Sequence, residues 1–98
     1  MGIIDQLNKD FESRVRLGIM SILIVNDWID FTEMKTILNC TDGNLASHSS
    51  ALERAGYIEI KKEFVGKKPK TSYRLTNNGR SAFKAHLSSL EKLMKTNN

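Results

Sequence analysis

The sequence predicts a mainly α domain carrying one small β-hairpin, an α+β class, and three observations predict it. Apolar residues recur at helical spacing in several separate stretches. Ser13, Thr32, Thr41 and Thr76 each stand just before such a stretch, where a hydroxyl caps free backbone N–H groups. Between residues 57 and 75 the period drops to two, on either side of a basic stretch rich in turn residues. At 98 residues the chain is one domain, 1–98, with a modest core. Hydrophobic residues at 40% and charged residues at 27% exclude a disordered chain. Six glycines and one proline exclude a collagenous or low-complexity one.

The elements follow in order. Ile3, Ile4 and Leu7 form a short apolar stripe at helical spacing. Ser13 caps a helix running to about Asn26, with Val15, Ile19, Ile22 and Leu23 on its apolar face and Leu17, Met20 and Ile24 widening it. So apolar a helix is the central one. Gly18 inside it costs about 1 kcal/mol relative to Ala and marks the close approach of another backbone. Trp28-Ile29-Asp30-Phe31 reads as a short strand, and Thr32 caps a two-turn helix with Met34, Ile37 and Leu38 inward. Thr41 opens a helix from Asp42 to Ala55, closed by Gly56 in the left-handed conformation. Tyr57 to Phe64 and Thr71 to Leu75 are strands around the basic loop Val65–Lys70. Thr76 opens a last helix to about Lys95, with Ala82, Phe83, Leu87, Leu90, Leu93 and Met94 apolar. At about 30 Å it outruns a core this small, so one stripe is expected to meet a partner chain.

Charge is unevenly placed. The net charge is +4, yet residues 57–75 alone carry six basic side chains against two acidic ones. Such asymmetry points to a polyanionic partner, most often nucleic acid. The single Cys40 forms no internal disulfide, and no signal peptide or membrane-length apolar run is visible, so the expected location is cytoplasmic, with no membrane partner.

Two short helices joined by a tight turn and followed by a basic hairpin make the physical recipe of a winged helix-turn-helix, here with long flanking helices at both ends. The expected core covers about residues 13–76, with 1–12 and 77–98 as flanking helices. The helix from Asp42 would lie in a DNA major groove. Leu45, Ser49 and Leu52 would point inward, and Asn44, Ser47, His48, Ser50, Ala51 and Arg54 outward. Asn bridges adenine, Arg bridges guanine, and Ser meets bases or phosphates. The candidate reader residues are Thr41, Asn44, Ser47, His48, Ser50 and Arg54, and the candidate wing residues are Lys62, Lys67, Lys68, Lys70 and Thr71.

Four stretches carry a family resemblance: Phe31 to Lys35, Thr41 to His48, Leu52 to Ile58 (LE-x-AGY) and Tyr73 to Arg80 (Y-x-LT-x-x-G). Together they resemble the small winged-helix transcriptional regulators of the MarR and ArsR groups, over roughly residues 13 to 90. The resemblance implies a DNA-binding homodimer, with the first and last helices building the dimer. The expected dimer residues are Ile3, Ile4, Leu7, Phe83, Leu87, Leu90 and Met94. Relatives usually carry Leu where this chain has Ser49. Either Ser49 bonds back to a carbonyl one turn earlier, or the reader helix packs more loosely.

Plainer readings stand beside these. A run of lysines is often only a solvated face, and His48 is equally an ordinary surface imidazole. Cys40 reads as a small packed residue, and Trp28 as edge packing. His48 and His86 lie far apart in sequence and away from Cys40, so no metal site is expected. No phosphate-cradling or dinucleotide motif appears, and no cofactor and no enzyme activity are expected. The preferred reading is a bacterial or archaeal repressor acting on a pseudo-palindromic operator. A small-molecule effector at a dimer cleft is open but has no residue arguing for it. The competing reading is a winged-helix module that docks proteins instead of DNA, favoured by Ser49 and by the low charge of the reader helix.

Overall fold

The computed structural model describes residues 2–96. Two 3-10 turns, Ile3–Gln6 and Lys9–Phe11, lead into α1 (Arg14–Leu23), β1 (Ile29–Asp30) and α2 (Phe31–Leu38). Then come α3 (Asp42–Arg54), β2 (Ile58–Val65), β3 (Lys68–Leu75) and α4 (Asn77–Met94). The three strands form one antiparallel sheet in the order β1-β3-β2.

Capping explains most helix starts. The hydroxyls of Ser13, Thr41 and Thr76 accept from the N–H groups of Arg16, Asn44 and Gly79 at 3.3, 3.1 and 2.8 Å. For α2 the cap is Asp30 rather than Thr32: its carboxylate accepts from Glu33 N–H at 2.7 Å. A carboxylate there both caps the helix and complements its dipole, so the four-residue strand shrinks to Ile29–Asp30. Helix α1 stops at Leu23 because side chains take its last carbonyls. Asn26 Nδ2 donates to Ile22 O at 2.8 Å, and Arg80 Nη1 to Ile24 O at 3.1 Å. The turn into α3 is Asn39-Cys40-Thr41, with Asn39 left-handed at φ 50°. Asparagine tolerates that conformation better than most residues.

The hairpin is longer than its sequence suggests. Val65 pairs with Lys68 and Phe64 with Pro69, leaving a two-residue tip, Gly66-Lys67, with Gly66 at φ 66°. Pro69 is tolerated within β3 because β1 pairs only with Ser72 and Tyr73, so the outer part of β3 has a free edge.

The core gathers Ile19, Met20 and Leu23 of α1, Met34 of α2 and Leu45 and Leu52 of α3, all fully buried. It also extends past residues 13–76. Phe11 and Phe83 are buried in it, their rings edge to face at 5.4 Å. Phe83 is therefore a core residue of its own chain, not a dimer-interface residue. The N-terminal flank is likewise no long helix. The backbone N–H of Asn8 donates to His86 Nδ1 of α4 at 3.0 Å, and its side chain accepts from Asp10 N–H and donates to Tyr57 Oη. With its bonds committed to α4 and to a local turn, Asn8 interrupts the helical ladder.

Two glycines separate by environment. At Gly18 a Cβ would meet only the flexible end of Leu38, so a side chain rather than a backbone lies close. At Gly79 a Cβ would fall 1.9 Å from the carbonyl oxygen of Tyr57. That carbonyl accepts from Thr76 N–H at 3.0 Å, and the Thr76 hydroxyl donates to Gly56 O at 2.7 Å. The LE-x-AGY and Y-x-LT-x-x-G elements are thus two halves of one joint.

His86 is buried between Phe11 and Phe83, with only Glu12 opposing the desolvation that lowers its pKa from the ordinary 6.5. Burial disfavours the imidazolium, and Nδ1 must be unprotonated to accept from Asn8. Because the unfolded chain binds this proton more readily, the contribution is complete above the ordinary histidine pKa. It is lost as pH falls through the lowered folded value. Thermal melts from neutral to mildly acidic pH should show the wild type losing its margin over His86→Leu on acidification. A pH-independent margin would contradict this account.

Candidate nucleic-acid interface

Helix α3 packs Leu45, Ser49 and Leu52 inward. Ser49 Oγ donates to the carbonyl of Leu45 at 2.7 Å, so the polar residue at an apolar position is satisfied one turn back. The phenol of Tyr73, on the sheet beneath, has its pKa raised mainly by burial. The helix is therefore firmly seated on α1 and the sheet rather than loosely packed. Its outward face carries Thr41, Asn44, Ser47 and Arg54, all exposed, with His48, Ser50 and Ala51 half-buried at its edges. The Thr41 oxygen is already used as the cap, leaving its O–H free to donate. Asp42 is ion-paired with Lys35 of α2 at 2.6 Å, which offsets an acidic group at the start of the helix.

The wing divides by role. At its base Lys61 and Arg74 lie over the Trp28 ring, 4.4 and 4.6 Å from its centre. Arg74 also pairs with Glu59 at 3.2 Å and lies 4.0 Å from Asp27. Those two cations and Trp28 belong to the fold's own edge. Lys62, Lys67, Lys68 and Lys70 are exposed, and among the described residues none has an ion-pair partner. Register sorts them further. Lys62 pairs with Thr71 on the sheet face shared by Ile60 and Tyr73, beside a small cleft of about 140 Å³ also lined by Ala46 and Ser50 of α3. Alternation puts Lys68 and Lys70 on the opposite face, and Lys67 sits at the tip.

Sequence reasoning missed the cations that α1 brings to α3. Arg16 Nε donates to His48 Nδ1 at 3.0 Å. Arg14 lines an open cleft with Asn39, Thr41 and Asn44. Their position near the start of α1 was legible, but not which face α1 turns to α3. The expected dimer residues scatter: Ile4, Leu87 and Met94 are exposed, Ile3, Leu7 and Leu90 half-buried, and Phe83 internal. Among the described residues no helix is long and apolar enough to cross a membrane, and no cluster of metal-ligating side chains forms.

A helix-turn-helix with the outer face of its second helix free, beside a lysine-tipped hairpin, defines a winged-helix DNA-binding regulator. The family model described as a winged helix DNA-binding domain matches residues 15–94, and the chain belongs to that family. It is 39% identical over 87 residues to an uncharacterized protein of Methanocaldococcus jannaschii, covering 89% of this chain and 95% of that one. The solved transcriptional regulator homologue of Pyrococcus horikoshii superposes with a TM-score of 0.88 at 32% identity, over 98% of this chain and 97% of that one. The ytfH protein of Salmonella typhimurium superposes at 0.71 with 23% identity, over 91% of this chain and 78% of that one, a likeness of fold alone.

Proposed function

We propose that the protein is a cytoplasmic transcriptional repressor that binds a pseudo-palindromic duplex as a symmetric homodimer. Helix α3 lies in the major groove and the wing follows the backbone toward the minor groove. The observation that carries this reading is the charge at the wing: four exposed lysines without ion-pair partners among the described residues stand beside a reader helix whose outer face is polar and exposed. Phosphates positioned by the wing hold the domain, and Asn44, Ser47, His48, Ser50 and Arg54 meet base edges. Two copies place their reader helices about one helical turn apart, and occupancy of the operator excludes the polymerase. No cofactor takes part, and the protein acts by binding rather than by catalysis.

The second copy docks on the end of α4. Leu87 and Met94 are 43% and 75% exposed there, and Ile4, at 67%, adds to the apolar surface from the turn packed against this helix. Exposed apolar area of this kind marks an interaction surface. Leu87→Asp with Met94→Asp should give a folded monomer, read as half the wild-type mass by light scattering. An unchanged mass would place the interface elsewhere.

Fluorescence anisotropy with random-sequence duplex at several salt concentrations tests the whole reading. A dimer whose affinity falls steeply with salt supports it. A folded dimer that binds no duplex at low salt would turn the wing lysines into a solvated face and favour a protein partner.

A further inference from the structure

Arg16 belongs to α1, yet its guanidinium sits against α3. Its Nε donates to Nδ1 of His48 at 3.0 Å. An arginine Nε offers only a hydrogen, so Nδ1 must present its lone pair, and the neutral ring then carries its proton on Nε2. Arg16 is itself held from behind. Its Nη1 lies 3.9 Å from Asp10, and the Asp10 amide donates to the Asn8 side chain at 2.8 Å. On the other side of the ring, Nε2 has no partner among the described residues. No unpartnered side-chain nitrogen or oxygen is buried among them either, so Nε2 opens to solvent.

We propose that Arg16 is a positioning residue that fixes His48 as an outward hydrogen-bond donor and thereby sets the base preference at one position of the operator. The inference rests on α3 being the reader helix. In the major groove guanine, adenine N7 and thymine O4 all offer acceptors, whereas cytosine offers its N4 amino donor. A ring locked with Nε2–H outward bonds the first three and meets cytosine donor to donor. Without Arg16 the proton is free to move to Nδ1, Nε2 then accepts, and cytosine is no longer excluded. A residue on α1, outside the groove, thus writes one letter of the recognition code.

Two substitutions separate this role from charge and from packing. In Arg16→Gln the amide nitrogen stands at the same point along the side chain as the arginine Nε, so a donor is kept and the charge is lost, while the amide oxygen adds an acceptor that weakens the lock. Arg16→Met loses both. Nitrogen-15 spectra of the His48 ring at alkaline pH should show the Nε2–H form in the wild type, mostly that form in Arg16→Gln, and the largest share of the Nδ1–H form in Arg16→Met. Selection from randomised duplexes should show cytosine disfavoured at one position by about fivefold, one hydrogen bond's worth, in the wild type and Arg16→Gln. That exclusion should vanish in Arg16→Met, while affinity for random duplex falls alike in both variants. A Met variant that keeps the Nε2–H form, or that loses it with an unchanged base preference, overturns the proposal. A wild-type chain that binds no duplex overturns it together with the reading of α3, even if the ring spectra respond as expected.

Discussion

Gly79→Ala is expected to destabilise the domain by about 3 kcal/mol or more, at the upper end of the cost of overpacking. The sign is the informative part. Replacing a helical glycine by alanine ordinarily stabilises by up to about 1 kcal/mol. Here the new Cβ would lie 1.9 Å from the Tyr57 carbonyl oxygen, a backbone atom that cannot swing aside. Relief requires α4 to lift from the residues after α3, which breaks the Thr76 N–H to Tyr57 bond at 3.0 Å and strains the Thr76 bridge to Gly56. For a domain of this length the melting temperature should fall by about 12 °C or more. Gly18→Ala is the control. It meets a Leu38 methyl that can rotate, so its effect should stay within about 1 kcal/mol. Equal melting curves for the two variants would remove the joint from the account of the fold.

That joint also shows what a single sequence makes legible. The caps Ser13, Thr41 and Thr76, the left-handed Gly56 and the inward phase of Leu45, Ser49 and Leu52 were all readable, because each is set within one or two turns of chain. Ser49 could be read as bonding back to its own helix for the same reason. What failed was non-local. Phe83 fits an apolar stripe on α4, and only the tertiary fold shows that the stripe is partly used up by Phe11 and His86. The N-terminal flank has helical spacing at Ile3, Ile4 and Leu7, but Asn8 gives its amide to a histidine 78 positions away. The short span of β1 allows Pro69 into a strand, a choice made by pairing rather than by composition. For the candidate interface, the proposed reader and wing residues rest on residue type and order alone. Arg16 was not legible, because its role depends on the angle at which α1 crosses α3.

The other large effect concerns DNA. Changing Lys62, Lys67, Lys68 and Lys70 together to Gln should weaken binding to every duplex by a similar factor and leave sequence preference intact. Each phosphate contact contributes about 0.9 to the slope of log affinity against log salt, so four lost contacts per subunit, eight per dimer, flatten it by up to about 7.2. Over a fourfold rise in salt one such contact alters affinity about 3.5-fold, so the salt response of the variant dimer should be shallower by up to about 20,000-fold. Register makes the single changes unequal. Lys62 shares its sheet face with Thr71 beside α3, and Lys68 and Lys70 project from the other face, so Lys62→Gln should take the larger share. Asn44→Ala and Arg54→Ala should do the reverse: the salt slope barely moves for Asn44→Ala, and the preferred bases change for both. Anisotropy titrations at four salt concentrations, with a selected duplex and a scrambled one, separate the outcomes. If the wing variant altered base preference and Asn44→Ala flattened the slope, phosphate anchoring and base reading would have to be reassigned between wing and helix. If the two variants behaved alike, the exposed lysines and the polar face of α3 would be acting as one undivided contact, and the seating of α3 through buried Leu45, Ser49 and Leu52 would carry no recognition role.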